Sequence, residues 1–308
     1  MFSRKLLTLG VVAVLGLGAA ALIVVSLSVT AAAEEKLLFE KVSPYNTILV
    51  TEDEQGLRTL RFEKGGTRQS VVKLGDPDYI EFPYARAMTA GLALVEKPQR
   101  VLIVGLGGGT IPNFLHKHYP RMTIDVVDID PDVVNVARRF FGFREDHAMR
   151  AHVGDGRRFI EQCRQPYDII FLDAFGSENI PYHLATREFL QAVRKAITPQ
   201  GVVVANVFGR GSNSLHDSMV RTYQDVFDQL YIFDVEGASN EVLVAMPSKQ
   251  RIERDELLRR AGEISRERQF PFDMARAVTY GCRQVRAEQF HGRVLVDKDD
   301  VKEAASVP

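Results

Sequence analysis

The sequence predicts an α/β fold in which an open, mainly parallel sheet is wrapped by helices and follows a small β-rich domain. From Arg100 onward, apolar strands alternate with a glycine-rich turn and with helices, as in RVLIVGLGGG, TIPNFLHKHYP and TIDVVDID. This alternation is typical of parallel sheets with crossover helices. Residues 40–74 instead hold short stretches of alternating apolar and polar residues separated by glycines, a pattern that predicts β-hairpins.

Composition excludes several classes of protein. The chain has 308 residues, of which 45% are hydrophobic and 26% charged, and its net charge is −1. Acidic and basic residues are interspersed, so charge gives no support for a nucleic-acid partner. Cys163 and Cys282 lie in unrelated contexts without CxxC spacing. They indicate two thiols rather than a disulfide framework or a structural metal site.

The amino-terminal segment Leu6–Ala33 carries no charged residue. As a helix it is long enough to cross a hydrocarbon core of about 30 Å. Arg4 and Lys5 precede it and Glu34 follows it, which favours an orientation with the amino terminus inside. We expect residues 1–33 to be a membrane anchor, so that the protein is membrane-attached, with the side of the membrane left open. Export after cleavage of a signal peptide near Ala31–Ala33 is the alternative.

The rest of the chain divides into three predicted parts. These are a small β-rich domain over residues 34–83, a Rossmann-like domain over 84–250, and a helical extension over 251–308. Helical spacing predicts helices over Tyr84–Leu94, Thr186–Ala196 and Arg251–Arg268. A short strand is expected at Arg293–Val296.

A ligand site is predicted where the first strand of the Rossmann-like domain ends. In VLIVGLGGGTIP, Gly105, Gly107 and Gly108 let the backbone approach a ligand closely and place helix amides beside it. Asp128 ends the next strand about twenty residues later, where an acid suits the two hydroxyls of a ribose. Asp130, which precedes Pro131, fits better as the helix cap.

Asp155 and Gly156 end the following strand, and an acid at that edge can accept a hydrogen bond from the exocyclic amine of adenine. Pro112 near the helix start departs from the GxGxxG pattern of dinucleotide-binding proteins. The three features in this order favour a class I S-adenosylmethionine-type fold, with an adenosyl sulfonium as ligand. Asp173 ends the strand YDIIFLD at the edge where open α/β sheets bind ligands, and Tyr84 and Glu81 are candidates to line the path of an amine.

From about Lys41 to Met246, the chain resembles the spermidine synthase family of polyamine aminopropyltransferases. The resemblance rests on SPYNTILV, DYIEFPYARAM, the glycine turn, VVDIDPDVV, HVGDGRRFI and YDIIFLDAF. It implies a small β-domain before the Rossmann-like fold, and a dimer or tetramer. It also assigns roles to the residues that match these motifs: Asn46 and Tyr84 would border the pocket, Asp128 would hold the ribose, Asp155 with Gly156 would contact adenine, and Asp173 would be the acid beside the attacking amine.

Three positions depart from that family. Its glycine turn usually carries an aspartate that binds the primary amine of decarboxylated S-adenosylmethionine, and the corresponding residue here is Gly108. Its second acid, three residues after the catalytic one, is replaced by Gly176, and the polar residue after the pocket tyrosine by Ala85. Without the aspartate, we expect free backbone amides of the turn to be able to accept the carboxylate of S-adenosylmethionine, a charge-assisted contact worth about 1.5–3 kcal/mol.

A second resemblance involves GLGGGTIPNFLHKHYP, RRFFGF and VEGASNEVLVAM. These segments are similar to the spermidine-synthase-like half of a eukaryotic protein methyltransferase that modifies the N-terminus of an elongation factor. The resemblance implies that Asn240 and Glu241 lie near the acceptor, and a plain turn before the strand VLVAM is the alternative.

Three functional hypotheses therefore stand. The first is aminopropyl transfer from decarboxylated S-adenosylmethionine to a polyamine, with Asp173 as proton acceptor. The second is N-methyl transfer from S-adenosylmethionine to an amine, including a protein amine. The third is a membrane-anchored nucleoside-binding protein without catalysis. In each case the adenosyl sulfonium is a co-substrate or ligand, and no prosthetic group is expected.

Overall fold

The computed structural model describes residues 35–174, 180–285 and 290–298. All of these residues belong to one compact unit, which begins at Glu35. Its strands are β1 (Lys36–Val42), β2 (Thr47–Glu52), β3 (Leu57–Arg61), β4 (Arg68–Lys73), β5 (Arg100–Val104), β6 (Thr123–Asp128), β7 (Met149–Val153), β8 (Tyr167–Leu172), β9 (Ile197–Phe208), β10 (Gln229–Asp234), β11 (Asn240–Met246) and β12 (Cys282–Gln284). Its α-helices are α1 (Pro83–Met88), α2 (Thr110–His118), α3 (Pro131–Phe140), α4 (Gly156–Glu161), α5 (Arg187–Ala196), α6 (His216–Val226), α7 (Arg254–Glu267) and α8 (Ala275–Gly281).

Strands β1 to β4 form a small antiparallel sheet in chain order, as the alternating pattern predicts. The larger sheet has eight strands in the order β12-β10-β11-β9-β8-β5-β6-β7. Its strands from β7 to β9 pair in parallel, whereas β11, β10 and β12 extend it with antiparallel pairs. The prediction of a Rossmann-like α/β fold with a small β-sheet ahead of it is confirmed.

Local capping chemistry explains where several helices begin. Asp130 caps α3 through a 2.9 Å hydrogen bond from the Asp132 amide, with Pro131 in the first turn. Thr186 caps α5 in the same manner, one residue before the helix, as such caps require. The predicted helix over Tyr84–Leu94 corresponds to α1 followed by a 3₁₀ helix over Thr89–Leu94.

Apolar side chains cover both faces of the large sheet. One layer contains Phe114, Phe143 and Phe171, and the other contains Phe189 and Tyr223. The strand predicted at Arg293–Val296 does not form. That segment instead lies against α5 and α6, where the Leu295 carbonyl accepts from the Arg187 amide at 2.8 Å and the Leu295 amide donates to Thr222 Oγ1 at 2.9 Å.

The predicted membrane location requires correction. In the part of the chain that the structure describes, no helix is both long and apolar enough to cross a membrane. Helix α7 has 14 residues, which gives a length of about 21 Å, and it is rich in arginine and glutamate. The segment Leu6–Ala33, on which the predicted anchor rested, lies outside the described residues. The proposed boundaries at 83/84 and 250/251 remain predictions.

Candidate active site

The carboxyl ends of the parallel strands meet at one edge of the large sheet, beneath a cavity of about 380 Å³. The glycine turn follows β5, Asp128 ends β6, Asp155 follows β7 and Asp173 follows β8. All three aspartates line the cavity, together with Tyr84 from α1. The sequence-based prediction brought these residues together correctly because parallel strands place their ends at a shared edge.

The glycine turn approaches Asp173 so closely that its first residue has to be glycine. Gly105 has a φ of +99°, and a Cβ there would lie 2.4 Å from the backbone oxygen of Asp173. A side chain would therefore push apart the ends of β5 and β8. The turn thus holds the end of β8 against the backbone that follows β5, and both line the cavity.

Gly108 is covered by Ser70, a residue of β4 in the small sheet. The Gly108 amide donates a 2.8 Å hydrogen bond to Ser70 Oγ, and the Ser70 side chain lines the cavity while the residue is 8% exposed. Of the turn amides expected to bind a ligand carboxylate, that of Gly108 is therefore not free, because it already donates to the serine hydroxyl. Gly107, by contrast, lines the cavity itself.

The Asp128 carboxylate is held by backbone amides. Oδ2 accepts from the Leu106 amide at 2.8 Å, and Oδ1 accepts from the Asp130 amide at 2.9 Å. Burial raises the pKa of Asp128, and the backbone hydrogen bonds oppose that rise. Since a carboxylate has about four acceptor positions, each oxygen keeps capacity for a hydroxyl from the cavity.

Asp155 has two partners of its own at the start of α4. Oδ1 accepts from the Arg158 amide at 2.8 Å, which makes Asp155 the helix cap, and Oδ2 lies 3.1 Å from Nε2 of His183. Gly156 is buried, and a Cβ there would lie 2.5 Å from Val104 Cγ1. The capping role and the predicted contact with adenine therefore involve the same carboxylate.

Asp173 lies at the cavity with two polar side chains beside its carboxylate. Asn206 Nδ2 donates to Oδ1 at 2.9 Å, and the Tyr84 hydroxyl lies 3.5 Å from Oδ2. Burial raises the pKa of Asp173 to about 7, against the opposing effect of these two contacts. Its carboxylate opens onto the cavity but is otherwise enclosed by protein. A base with a pKa near neutrality is well matched to accept a proton under ordinary conditions.

The remaining predicted site residues differ in whether they line the cavity. Asn46 and Glu81 line the cavity, but the Glu81 carboxylate is already engaged by Arg68 at 3.0 Å and by the Tyr79 hydroxyl at 2.6 Å. Asn240 does not line the cavity. It donates from Nδ2 to Asn206 Oδ1 at 2.9 Å. It therefore lies behind Asn206, the residue that donates to Asp173. Gly176 lies outside the described residues.

Three residues of the site were not predicted from the sequence: Ser70, His183 and Asn206. Asn206 offered a signal, since it is a lone amide in the apolar strand GVVVANV, close to that strand's carboxyl end. A polar side chain that is 3% exposed requires a partner. Ser70 and His183 offered no comparable pattern, because their partners come from other parts of the chain.

Comparisons with known proteins agree with this geometry. Residues 81–238 match the family model described as the spermine/spermidine synthase domain. A polyamine aminopropyltransferase of Vibrio vulnificus (strain CMCP6) is 40% identical over 233 residues, which cover 73% of this chain and 77% of that protein.

The chain is also similar to methyltransferases. The human eEF1A lysine and N-terminal methyltransferase is 35% identical over 211 residues, which cover 62% of this chain but 30% of that protein. A crystal structure of human methyltransferase-like protein 13 in complex with SAH aligns with a TM-score of 0.57 at 34% identity, covering 62% of this chain and 94% of that one.

Both kinds of relative are transferases by name, and the prediction of an alkyltransferase that uses an adenosyl sulfonium donor is confirmed by them. The match extends over half of the sequence and includes the glycine turn and all three cavity aspartates. The chain belongs to the spermine/spermidine synthase family.

Proposed function

We propose that the protein transfers an aminopropyl group from decarboxylated S-adenosylmethionine to an amine of a polyamine, with Asp173 as proton acceptor. The observation that carries the proposal is the Asp173 carboxylate, which opens onto the cavity with a pKa raised to about 7. The 40% identity to a polyamine aminopropyltransferase supports the choice of group and acceptor.

The chemistry needs a neutral amine beside the electrophilic carbon of the sulfonium. A polyamine nitrogen enters mostly protonated at neutral pH, so the ionised Asp173 first attracts it and then takes its proton. Oδ1 is held by Asn206, which leaves Oδ2, next to the Tyr84 hydroxyl, to meet the amine. In-line positioning of nitrogen and carbon supplies much of the remaining rate.

The adenosyl part of the donor is assigned to the other two strand ends. We propose that Asp128 binds the ribose hydroxyls, that Asp155 and Gly156 contact adenine, and that Asn46 and the glycine turn border the donor. The dimer or tetramer implied by the family resemblance remains a prediction, which sedimentation of the purified protein tests.

N-methyl transfer from S-adenosylmethionine is the second candidate, and a specific observation favours it. The neutral hydroxyl of Ser70, not a carboxylate, covers the glycine turn at Gly108, and Glu81 is neutralised by Arg68. These residues provide no free acid to select a donor that ends in an ammonium group. The 35% identity to a lysine and N-terminal methyltransferase supports the same alternative.

The products distinguish the hypotheses. Aminopropyl transfer leaves methylthioadenosine, whereas methyl transfer leaves S-adenosylhomocysteine. The purified protein is incubated with each donor and with putrescine, spermidine or a protein-amine acceptor, and both nucleosides are quantified, with Asp173→Asn as control. Methylthioadenosine formation that requires Asp173 supports the first candidate, and S-adenosylhomocysteine formation that requires Asp173 replaces it with the second. Donor binding without either product indicates a binding protein.

A further inference from the structure

Three side chains form a row behind the proposed base. Asn206 donates from Nδ2 to Asp173 Oδ1 at 2.9 Å, and Asn240 donates from Nδ2 to Asn206 Oδ1 at 2.9 Å. The row crosses the sheet from β8 to β9 to β11, which are neighbours in that order. Of these three residues, Asp173 lines the cavity, whereas Asn206 and Asn240 do not.

The chemistry of the groups fixes the direction of this row. An ionised carboxylate can only accept hydrogen bonds, so Asn206 has to turn its NH₂ group toward Asp173 and its carbonyl oxygen away. Because Asn206 is 3% exposed, that oxygen depends on a protein donor, and Asn240 provides one. Without this donor, the two orientations of the Asn206 amide would differ much less in energy, and the reversed one places an oxygen against the carboxylate.

Asn240 is itself held in place. It begins β11, opposite Phe208 in the antiparallel pair with β9. The next residue, Glu241, lies 2.9 Å from Nε2 of the buried His216 and accepts from Arg283 at 3.3 Å. The start of β11 is thus anchored from α6 and β12, so the Asn240 amide has little freedom to turn away.

We propose that Asn206 and Asn240 are positioning residues, which together hold Oδ1 of Asp173 and direct Oδ2 toward the acceptor amine. This inference rests on the proposed role of Asp173 as proton acceptor and holds for either alkyl group. Asn206 acts directly on the base, and Asn240 acts through Asn206 by fixing its amide orientation. A linked chain of this kind is expected to give non-additive effects.

Other titratable groups near the row define what a pH measurement reports. Tyr84 contacts Asp173 from α1. Glu81, Asp128 and Asp155 line the same cavity. Beyond Asn240 lie His216 and Glu241, which pair with each other. Variants that replace either asparagine by an apolar residue leave all of these residues unchanged and add no charge, so a difference between such a variant and the wild type reports the row.

The first experiment measures kcat/KM for the acceptor against pH in Asn206→Leu, Asn240→Ala and Asn240→Leu. Loss of the hydrogen bond to the charged base raises its pKa, so the acid limb moves to higher pH, by roughly one unit in Asn206→Leu. Asn240→Leu keeps roughly the size of the side chain but removes its donor without adding a charge, so the acid limb should move in the same direction by a smaller amount. Asn213→Ala, which removes an amide bonded to the Leu215 backbone outside the row, should leave the profile unchanged.

Additivity provides the second test. In the Asn206→Leu background, Asn240→Leu should cost less than twofold further in kcat, because the residue through which it acts is gone. An acid limb that stays in place in both Asn206→Leu and Asn240→Leu, or effects that multiply in the double variant, would overturn the proposal. Equal losses of thermal stability in the variants and in Asn213→Ala, without a moved profile, would likewise assign these amides a structural role.

A measurement without turnover separates this inference from the proposed function. The carboxyl carbon of Asp173 is titrated by NMR in the folded protein, with Asp173→Asn used to assign its signal. An upward shift of the Asp173 pKa in Asn206→Leu and, by a smaller amount, in Asn240→Leu, together with absent transferase activity in the wild type, would support the row and reject the proposed function. Transferase activity in the wild type with an unmoved Asp173 pKa in both variants would support the proposed function and reject the row.

Discussion

The Gly108 amide donates a 2.8 Å hydrogen bond to Ser70 Oγ, which joins the glycine turn of the large sheet to β4 of the small one. A Cβ at Gly108 would lie 2.9 Å from Ser70 Cβ and 3.0 Å from Phe141 Cδ1. Ser70 thus occupies the space that a side chain in the turn would need. An acid can enter the turn only if Ser70 gives way, so the two positions are sterically coupled.

Gly108→Asp should therefore destabilise the protein by about 1–3 kcal/mol, the usual cost of overpacking a filled site. Thermal denaturation measures this cost. Gly211→Asp is the matched control, because a Cβ at Gly211 meets nothing within 4 Å. Equal melting temperatures for the two variants would show that Ser70 yields freely.

Adding Ser70→Gly to Gly108→Asp should recover much of that stability and change donor preference. The new carboxylate then faces the tail of the donor, where it attracts an ammonium group and repels a carboxylate. Calorimetric titration should show roughly a tenfold shift in the ratio of affinities toward decarboxylated S-adenosylmethionine. An unchanged ratio would place the donor tail away from the turn.

Asp128→Ala should weaken binding of either donor by roughly 1–3 kcal/mol, since two ribose hydroxyls lose their acceptor. The substitution also removes the hydrogen bonds from the Leu106 and Asp130 amides. Asp146→Ala is a suitable control, because Asp146 likewise accepts from two backbone amides, those of Ala148 and Met149, outside the cavity. Calorimetry that gave equal donor affinities for the two variants would refute the ribose assignment.

Asp173→Asn should lower kcat by about 10²–10⁴-fold while the affinity for the donor changes little. In the wild type, kcat/KM should fall as pH drops below about 7, because the base with a pKa of about 7 becomes protonated. The pH profile of the initial rate tests both statements. A profile that stays flat between pH 5 and 8 would assign the proton to another acceptor.

The same pKa predicts a pH dependence of stability. The folded-state pKa of Asp173 is raised above its ordinary value of 3.8, so the protonated group stabilises the fold at low pH, and this contribution is lost as pH rises from about 4 through about 7. Relative to the wild type, Asp173→Asn should therefore gain about 4 kcal/mol of stability between pH 4 and pH 8. Chemical denaturation of both proteins at the two pH values measures this gain, and a constant difference would contradict it.

Sequence periodicity was sufficient to predict the two-sheet architecture because each element carries its own pattern. The apolar runs that lead to the glycine turn, to Asp128 and to Asp173 are buried strands. Because these strands pair in parallel, their ends and the residues there meet at one edge of the sheet. The helix start at Asp130 followed from capping chemistry, and the helix from Thr186 followed from its apolar spacing. The segment Arg293–Val296 was misjudged because Leu295 makes its backbone hydrogen bonds with residues of α5 and α6 and not with a strand partner.

The parts of the site that escaped prediction depend on contacts between distant residues. Ser70 and Gly108 are 38 positions apart, and Asp173 and Asn206 are 33 apart. No local pattern encodes which side chain will fill the space above a glycine, or which amide will meet a carboxylate. Asn240, which was expected near the acceptor, contacts Asn206 and does not line the cavity.

The direction of β11 has a consequence for how this fold diversifies. Because β11 runs antiparallel to β9, it begins at the edge where the parallel strands end. The turn between Asp234 and Asn240 therefore reaches the same edge as Asp173. Surface turns accept insertions far more readily than strands do. A longer or reshaped turn here would therefore change the surroundings of Asp173 without disturbing the pairing of the sheet.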